Sequence, residues 1–322
     1  MTMDLQPLTL ASNDSPRGMR VFPAWHFAMM NDTCRNKGIE NAIRDANVKG
    51  KLVFEIGTGA GLTAMLFAKY GAAKVITCEL DAQLYAIAVR TIQKNGLAGH
   101  IQVLLGSSTD LIKAKAVPRD PEVVFTETLD CGVVGEGYTA IANDIAEIAG
   151  KSTLVMPSRV EQYGYMLESQ ELRNQNHVDA YGDLDLTEIN RYATDTYFPV
   201  RLGNFASRSL STSSLLRVYD YTQASHLAHY VTFDSYDGGV CHGIASYFHA
   251  YYGQHVVSNE LRERVHWHQA FHHLDEPLQI EAGQKYVLKF SPSGRFSPAQ
   301  RREGAIQTDV TRPQHALDWC AQ

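Results

Sequence analysis

Three glycines at alternate positions, in the run Glu55-Ile56-Gly57-Thr58-Gly59-Ala60-Gly61, stand between an apolar segment and an amphipathic one. Lys51–Ile56 reads as a strand and Leu62–Tyr70 as a helix, so the glycines fall in a strand-to-helix turn. Glycine lets the backbone turn tightly there and come close to a ligand at the carboxyl end of a parallel strand. The pattern repeats downstream. Lys74–Glu79 reads as a second strand and Asp81–Asn95 as a helix with Leu84, Ile87, Ala88 and Ile92 at helical spacing. Ile101–Leu105 and Val123–Thr126 read as further strands. Alternation of this kind predicts βαβ units and a parallel sheet.

After Pro157 the style changes. Val160–Leu167, Ser213–Tyr221, His229–Phe233, Gly243–Tyr251, Trp267–Leu274 and Gln284–Phe290 are β-like and bounded by turn residues, which predicts an antiparallel barrel or sandwich. Between them, Glu171–Tyr197 is polar and helix-leaning. The C-terminal stretch from Ser291 is charged and loop-like. A net charge of -6 argues against a nucleic-acid surface, which needs a basic face. The 5 cysteines lack a CxxC pair and read as reduced thiols of a cytoplasmic protein. No apolar run is long enough to span a bilayer, and Met1 to Gly18 lacks a signal pattern.

The glycine loop does not suit a dinucleotide. A nicotinamide enzyme prefers G-x-G-x-x-G, with the pyrophosphate on the helix N-terminus; here the third glycine comes one residue early. Glu55 would repel a pyrophosphate, whereas an acid there suits an amino group or a sulfonium. Glu79 ends the second strand, where a carboxylate can accept both hydroxyls of a ribose.

The run EIGTGAGLTAMLFAKYGAAKVITCE resembles the cofactor-binding core of the protein arginine methyltransferases. The resemblance implies a Rossmann-like domain that binds S-adenosylmethionine (SAM). It gives the methionine part of SAM to Glu55, Gly57, Gly59 and Gly61 and the ribose to Glu79. Gly106 to Asp110, Ser108 included, sits where the family contacts adenine, although a polar strand-end turn accounts for any single residue there equally well.

The stretch from Val124 to Tyr138 (VFTETLDCGVVGEGY) is the most informative. Glu127 and Glu136 lie nine residues apart after an apolar strand, with glycines between them. This resembles the family's double-glutamate loop, with the same spacing. A guanidinium stays protonated at ordinary pH, and the sulfonium is also positive. Bringing two unit charges to about 4 Å costs roughly 4 kcal/mol at an effective dielectric near 20. Two carboxylates offset that repulsion and hold the planar guanidinium in bidentate fashion.

Trp25 to Asn36 resembles the family's lid helix with its Met-x-x-Asp-x-x-Arg pattern. The resemblance implies that Arg35 clamps the SAM carboxylate and that Phe27, or Trp25 and His26, cover the cofactor; for Trp25 and Met29 plain core packing is the simpler account. Val265-His266-Trp267 resembles the family's Thr-His-Trp loop. It implies a pair between His266 and Asp32, which could accept the released proton or hold the lid in place, and a wall of the arginine slot made by Trp267. His268, His272 and His273 lack accompanying carboxylates or cysteines, so no metal site is expected.

The resemblance runs from about Pro23 to about Phe290. It implies lid helices over 1–40, the SAM-binding domain over 41–157, and a β-barrel substrate domain over 158–322 with a helical dimerisation arm near 171–200, hence a homodimer. Gly135-Glu136-Gly137 and Arg35-Asn36 are most similar to the monomethylating type III branch, which predicts mainly one methyl transfer. That branch is typically a tandem, and one module stands here. The single module and the lack of an added interaction domain favour free L-arginine over an arginine-containing peptide. Arg159, Arg201, Tyr165 and Asn31 are candidates for holding the amino-acid backbone. The competing classes are a non-catalytic SAM-fold partner subunit, an oxygen or carbon methyltransferase, and a nicotinamide oxidoreductase.

Overall fold

The computed structural model describes residues 24–221 and 228–298. The readings placed on 1–23 and beyond 298, Cys320 among them, lie outside the described residues.

Two helices come first, α1 (Ala24–Met30) and α2 (Thr33–Asp45). The alternating segment follows as β1 (Leu52–Ile56), α3 (Leu62–Lys69), β2 (Lys74–Glu79), α4 (Ala82–Lys94), β3 (Ile101–Leu105), α5 (Ser108–Lys113), β4 (Val123–Thr126), α6 (Tyr138–Ile148) and β5 (Leu154–Met156). The five strands pair in the order β3-β2-β1-β4-β5, every pair parallel. Strands buried on both faces need apolar residues throughout, and Val53, Phe54, Val75, Val123 and Val124 are fully buried. The chain moves outward from β1 to β2 and β3, then returns to place β4 on the other side. Ligands of open α/β sheets bind at such a switch point, outside the carboxyl ends of the strands. Here the switch point lies between the loop after Ile56 and the loop after Thr126.

The rest of the chain is mostly antiparallel. It contains β6 (Arg159–Glu168), α7 (Gln170–Arg173), β7 (Ala180–Tyr181), β8 (Leu184–Asp185), β9 (Tyr197–Val200), β10 (Arg208–Ser209), β11 (Ser214–Asp220), β12 (His229–Asp234), β13 (Gly239–Tyr252), β14 (His255–Ser258), β15 (Gln269–Ile280), β16 (Lys285–Phe290) and β17 (Phe296–Pro298). One sheet runs β10-β6-β13-β15-β9, with β11 also on β6 and β14 on β13; another runs β12-β16-β17. β12 lies beside β11 and β17 beside β15, so the two sheets wrap one core made by Met166, Phe233, Ile244, Leu274, Phe290 and Phe296. The two halves share a second core, in which Ile39, Ile43 and Phe125 meet Tyr252, Val257 and Trp267.

The arm differs from the helical segment expected over 171–200. It holds one turn of α7, the β7–β8 hairpin and a 3-10 helix at Thr187–Tyr192. Gly182, at φ +59, makes the hairpin turn. Asp185 then accepts the backbone N–H and hydroxyl of Thr187 (2.8 and 2.7 Å). Local side-chain bonds of this kind compete with a helix, and so short a polar segment does not repay helix nucleation. No described helix is long and apolar enough to cross a membrane.

Candidate active site

A cavity of about 400 Å³ opens at the switch point, within the range of small-molecule sites. Its floor is the glycine loop, Ile56 to Gly59. Its sides are Glu79, Leu80 and Leu84 on one hand and Glu127, Thr128, Glu136 and α6 on the other, and α1 forms the roof through Trp25, His26, Met29 and Met30. The backbone comes close here by design of the loop. Gly57 has φ +81, and a Cβ there would stand 2.8 Å from the Thr128 methyl.

Glu79 is buried at the cavity edge. One of its oxygens accepts the Gly59 N–H (2.9 Å) and the other the Asp81 N–H (3.0 Å). Both bonds fix the carboxylate in place and leave it in the wall.

Glu127 follows β4 directly and faces Arg35 in a buried ion pair, the two side chains 6% and 5% exposed. Arg35 also donates to the Asn36 side chain (2.7 Å). Its Nε is buried with no partner, and the residue lines the cavity. Burial pushes the Glu127 carboxyl up, and Arg35 opposes that. Glu136 lies nine residues on, at the open side. Although its side chain reaches the surface, the atoms crowded about it withdraw it from water, and this, ahead of the charges of Glu127 and Asp130, pushes its carboxyl up to about 8.

The loop between the two glutamates is organised by Asp130. One oxygen accepts the N–H groups of Gly132 (3.2 Å) and Gly135 (3.0 Å); the other accepts the Tyr197 hydroxyl (2.8 Å). A Cβ at Gly132 would fall 2.3 Å from the Tyr197 ring, so glycine there is a packing requirement. The sequence shows those glycines, but Tyr197, sixty-odd residues away, carries no local signal of its role.

Asp32 caps the N-terminus of α2. Its Oδ1 accepts the Arg35 N–H (2.9 Å), and its Oδ2 accepts the His266 N–H (2.7 Å) and meets His266 Nδ1 (3.0 Å). Burial, ahead of the other influences, depresses His266 to about 4. The imidazole is therefore neutral across ordinary pH, donates from Nδ1, and is a weak proton acceptor; the contacts match the holding role. Arg201 reinforces the same loop, donating to the carbonyls of Val265 (3.1 Å), His266 (2.8 Å) and Trp267 (2.9 Å).

Several expected site residues lie elsewhere. Glu55 sits beneath the loop, outside the wall, where one oxygen takes the hydroxyls of Thr58 (2.8 Å) and Thr77 (2.6 Å). The cause is register: Glu55 pairs with Thr77 across the parallel strands, so both side chains share one buried face. Phe27 is 64% exposed and faces away from the cavity. At 100° per residue, Trp25, His26, Met29 and Met30 share one arc of α1 and Phe27 falls beyond it. Trp267 is a buried core residue. Its indole donates to the Leu129 carbonyl (2.7 Å) and its ring packs on Phe248, with the Arg35 guanidinium 5.8 Å from its centre. The backbone candidates are also committed elsewhere: Arg201 to its loop, Arg159 to Glu161 and the Tyr251 ring, Asn31 to the Phe27 carbonyl, and Tyr165 to a separate cleft. Among the described residues lining the cavity, Arg35 is the one Lys or Arg. Ser108 lines the wall, with its hydroxyl donated to Asp144 (2.6 Å). Asp144 itself was not foreseen, although an acid among the buried Ile141, Ala142 and Ile145 of α6 is a signal.

No set of three or more His, Cys, Asp or Glu side chains among the described residues is placed to hold a metal ion. His272 spends its nitrogens on the Ser246 hydroxyl (2.7 Å) and the Gly294 carbonyl (2.6 Å).

No family model matches the chain. An arginine N(omega)-methyltransferase of Streptomyces achromogenes subsp. streptozoticus is 32% identical over 279 residues, which cover 84% of this chain and 76% of the relative. The protein arginine N-methyltransferase 9 of Xenopus laevis is 39% identical over 150 residues, 45% of this chain and 18% of that longer protein. Among solved structures, the Trypanosoma brucei PRMT1 enzyme–prozyme complex with AdoHcy has a TM-score of 0.70 at 17% identity, covering 88% of this chain and 95% of that one. The Arabidopsis thaliana protein arginine methyltransferase 10 has a TM-score of 0.65 at 16% identity, covering 82% and 86%. Both share the parallel-plus-antiparallel architecture.

Glu55 gives a test of the layer beneath the loop. Burial raises its carboxyl to about 7. The folded state thus binds a proton that the unfolded state, titrating near 4.5, releases earlier. By linkage, stability is highest below that lower value and falls as pH rises towards 7. Glu55→Gln should flatten this decline and recover up to about 3 kcal/mol at pH 8. Urea unfolding of both proteins at pH 5 and pH 8 checks it; parallel declines would remove Glu55 as the cause.

Proposed function

The chain belongs to the arginine N-methyltransferase family, and from that footing we propose that it moves one methyl group from SAM to a guanidinium nitrogen of free L-arginine. The observation that carries the reading is the pair Glu127 and Glu136, brought by one loop into the wall of the cavity that Glu79 and the glycine loop build. SAM is the cofactor and supplies the methyl group as a sulfonium.

The roles follow from position. Arg35, the one Lys or Arg among the described residues lining the cavity, would hold the methionine carboxylate, and Glu79 the ribose hydroxyls. Glu127 and Glu136 would grip the guanidinium from two sides and aim one nitrogen at the donor. Holding two reactants in line supplies much of the rate of a bimolecular transfer. Their negative charge offsets the repulsion between two cations. Asp32 and His266 hold the lid to the 265–267 loop; the N–CH3 bond forms as the sulfonium's C–S bond breaks to leave a neutral thioether, and the nitrogen's proton is released to solvent at the open side.

Free arginine is supported by the Streptomyces relative, which matches along most of its length and is named for arginine, whereas the relatives named for protein arginine match over less of theirs. One observation favours peptidyl arginine instead: apart from Arg35 no Lys or Arg among the described residues lines the cavity to meet an amino-acid carboxylate. Monomethylation is favoured by Gly135-Glu136-Gly137. We also propose a cytoplasmic homodimer joined through the arm, where Tyr181, Leu184, Ile189 and Tyr192 are 79, 65, 62 and 88% exposed. Apolar side chains clustered in the open mark an interface.

Incubation with SAM and either L-arginine or an Arg-Gly-rich peptide, followed by mass spectrometry, should give monomethylarginine from the free amino acid. Methylation of the peptide alone would reassign the acceptor, and abundant dimethylarginine would end the monomethylation reading. Glu127→Gln should lower turnover by a factor of about 100 or more while SAM still binds; full activity would remove Glu127 from the mechanism.

A carboxyl near 8 grips a cation only when ionised. With Glu136 raised to about 8, kcat/KM for arginine should climb from pH 6 through pH 8 and level only above about pH 9. His266, depressed to about 4, should add no step between pH 5 and pH 8. A flat profile in Glu136→Gln, beside a rising one in the parent, is the expected contrast.

Light scattering during gel filtration should give twice the chain mass, and Leu184→Asp with Ile189→Asp should halve it. A parent protein that is monomeric at micromolar concentration would exclude the dimer.

A further inference from the structure

The cavity has a far end that the transfer itself does not use. There α5 and α6 pack together, and Ser107, Ser108, Thr109, Ile141 and Asp144 form the wall opposite Leu80 and Leu84. Asp144 is 6% exposed. Its Oδ2 accepts two hydroxyls, from Ser108 (2.6 Å) and Thr109 (2.8 Å). Its Oδ1 accepts from none of the described residues, and it is absent from the atoms sealed away without a partner. A carboxylate held by two hydroxyls on one oxygen has a fixed orientation, with the second oxygen left for a donor.

The polarity of this end follows from those bonds. The Ser108 and Thr109 hydroxyl protons are spent on Asp144, so what their side chains and Asp144 present to a ligand is acceptor oxygen. Leu80, Leu84 and Ile141 add flat apolar contact. A planar ring with an exocyclic amine satisfies such a wall, and a ring with a carbonyl at that place sets oxygen against oxygen. Burying an unmatched polar group is what makes sites of this kind selective.

We propose that Asp144 is the residue that reads the base of the cofactor, with Oδ1 accepting a hydrogen bond from the exocyclic amine of adenine and Ser108 and Thr109 holding the carboxylate in register. This rests on the reading of the cavity as the SAM site. It assigns to α6, an element of the acceptor loop's own side, a specificity-determining role for the donor. The Gly106 to Asp110 turn thereby acts through Asp144 as well as by itself.

The test compares two product analogues that differ at one position of the base, S-adenosylhomocysteine and S-inosylhomocysteine, by calorimetric titration. The parent protein should bind the adenosyl form at least about tenfold more tightly. Asp144→Asn carries an amide that can turn to donate to the inosyl carbonyl, so the ratio of the two Kd values should shrink at least threefold. A residue that only supports the fold would weaken both ligands together and leave the ratio alone. Equal binding of the two analogues by the parent, or an unchanged ratio in Asp144→Asn, overturns the proposal. The parent comparison stands even where the variant fails to fold. If the parent binds neither analogue, the cofactor reading itself fails, which is a different outcome from tight adenosyl binding without discrimination.

Discussion

Everything at the acceptor end hangs on the Asp32 carboxylate. It caps α2 through the Arg35 N–H and ties that helix to the 265–267 loop through both the backbone and the ring of His266. A buried carboxylate costs free energy unless its lone pairs are used, and here both oxygens are engaged. The cap sets where α2 begins, and three residues on, within that first turn, stands Arg35. Its guanidinium is thereby delivered to Glu127 and over Trp267. Were the Asp32 node absent, α2 could slide along β14 and Arg35 would lose its place, since a one-residue change of phase moves a helical side chain by 100°.

A second fixed point complements it on the other side. Asp130 and Tyr197 hold the loop after β4, so the two glutamates are set by contacts from opposite halves of the chain. The parallel sheet supplies the floor and the antiparallel half supplies the clamps. Neither half alone defines where a guanidinium would sit.

The sequence spoke clearly wherever a role is tied to a local pattern. Strand, glycine loop and helix appear at their expected places, Glu79 ends β2 at the cavity edge, and the spacing of Glu127 and Glu136 does bring both into one wall. It spoke poorly where the role depends on phase or on a distant partner. Glu55 adjoins the glycines in sequence, but register turns it to the Thr77 face below them. Of the aromatics that the lid pattern offers, helical phase turns Trp25 and His26 to the cavity and sends Phe27 outward. Trp267 lies where a wall was expected in sequence, yet its N–H is anchored to Leu129 and its ring belongs to the core. Asp144 is linked to Ser108 across 36 residues, and no window on the chain contains both. The arm reads as helical by composition, and side-chain bonds to its own backbone decide otherwise.

The electrostatics of the cavity give its separate parts a common logic. Glu79, Glu127, Glu136 and Asp144 line it, with Arg35 the one Lys or Arg among the described residues there. Withdrawal from water, and after it the repulsion of Glu127 and Asp130, raises the Glu136 carboxyl to about 8. A sulfonium and a guanidinium are both positive, and each relieves what the other's absence leaves unbalanced. The first cation to arrive makes ionisation of the neighbouring acids easier, which prepares the grip for the second. Charge that is costly in the free protein becomes useful only when both reactants are in place. Stabilisation of that kind favours the assembled state over either partial one, and it explains why a site for two cations contains more acid than either cation alone would require.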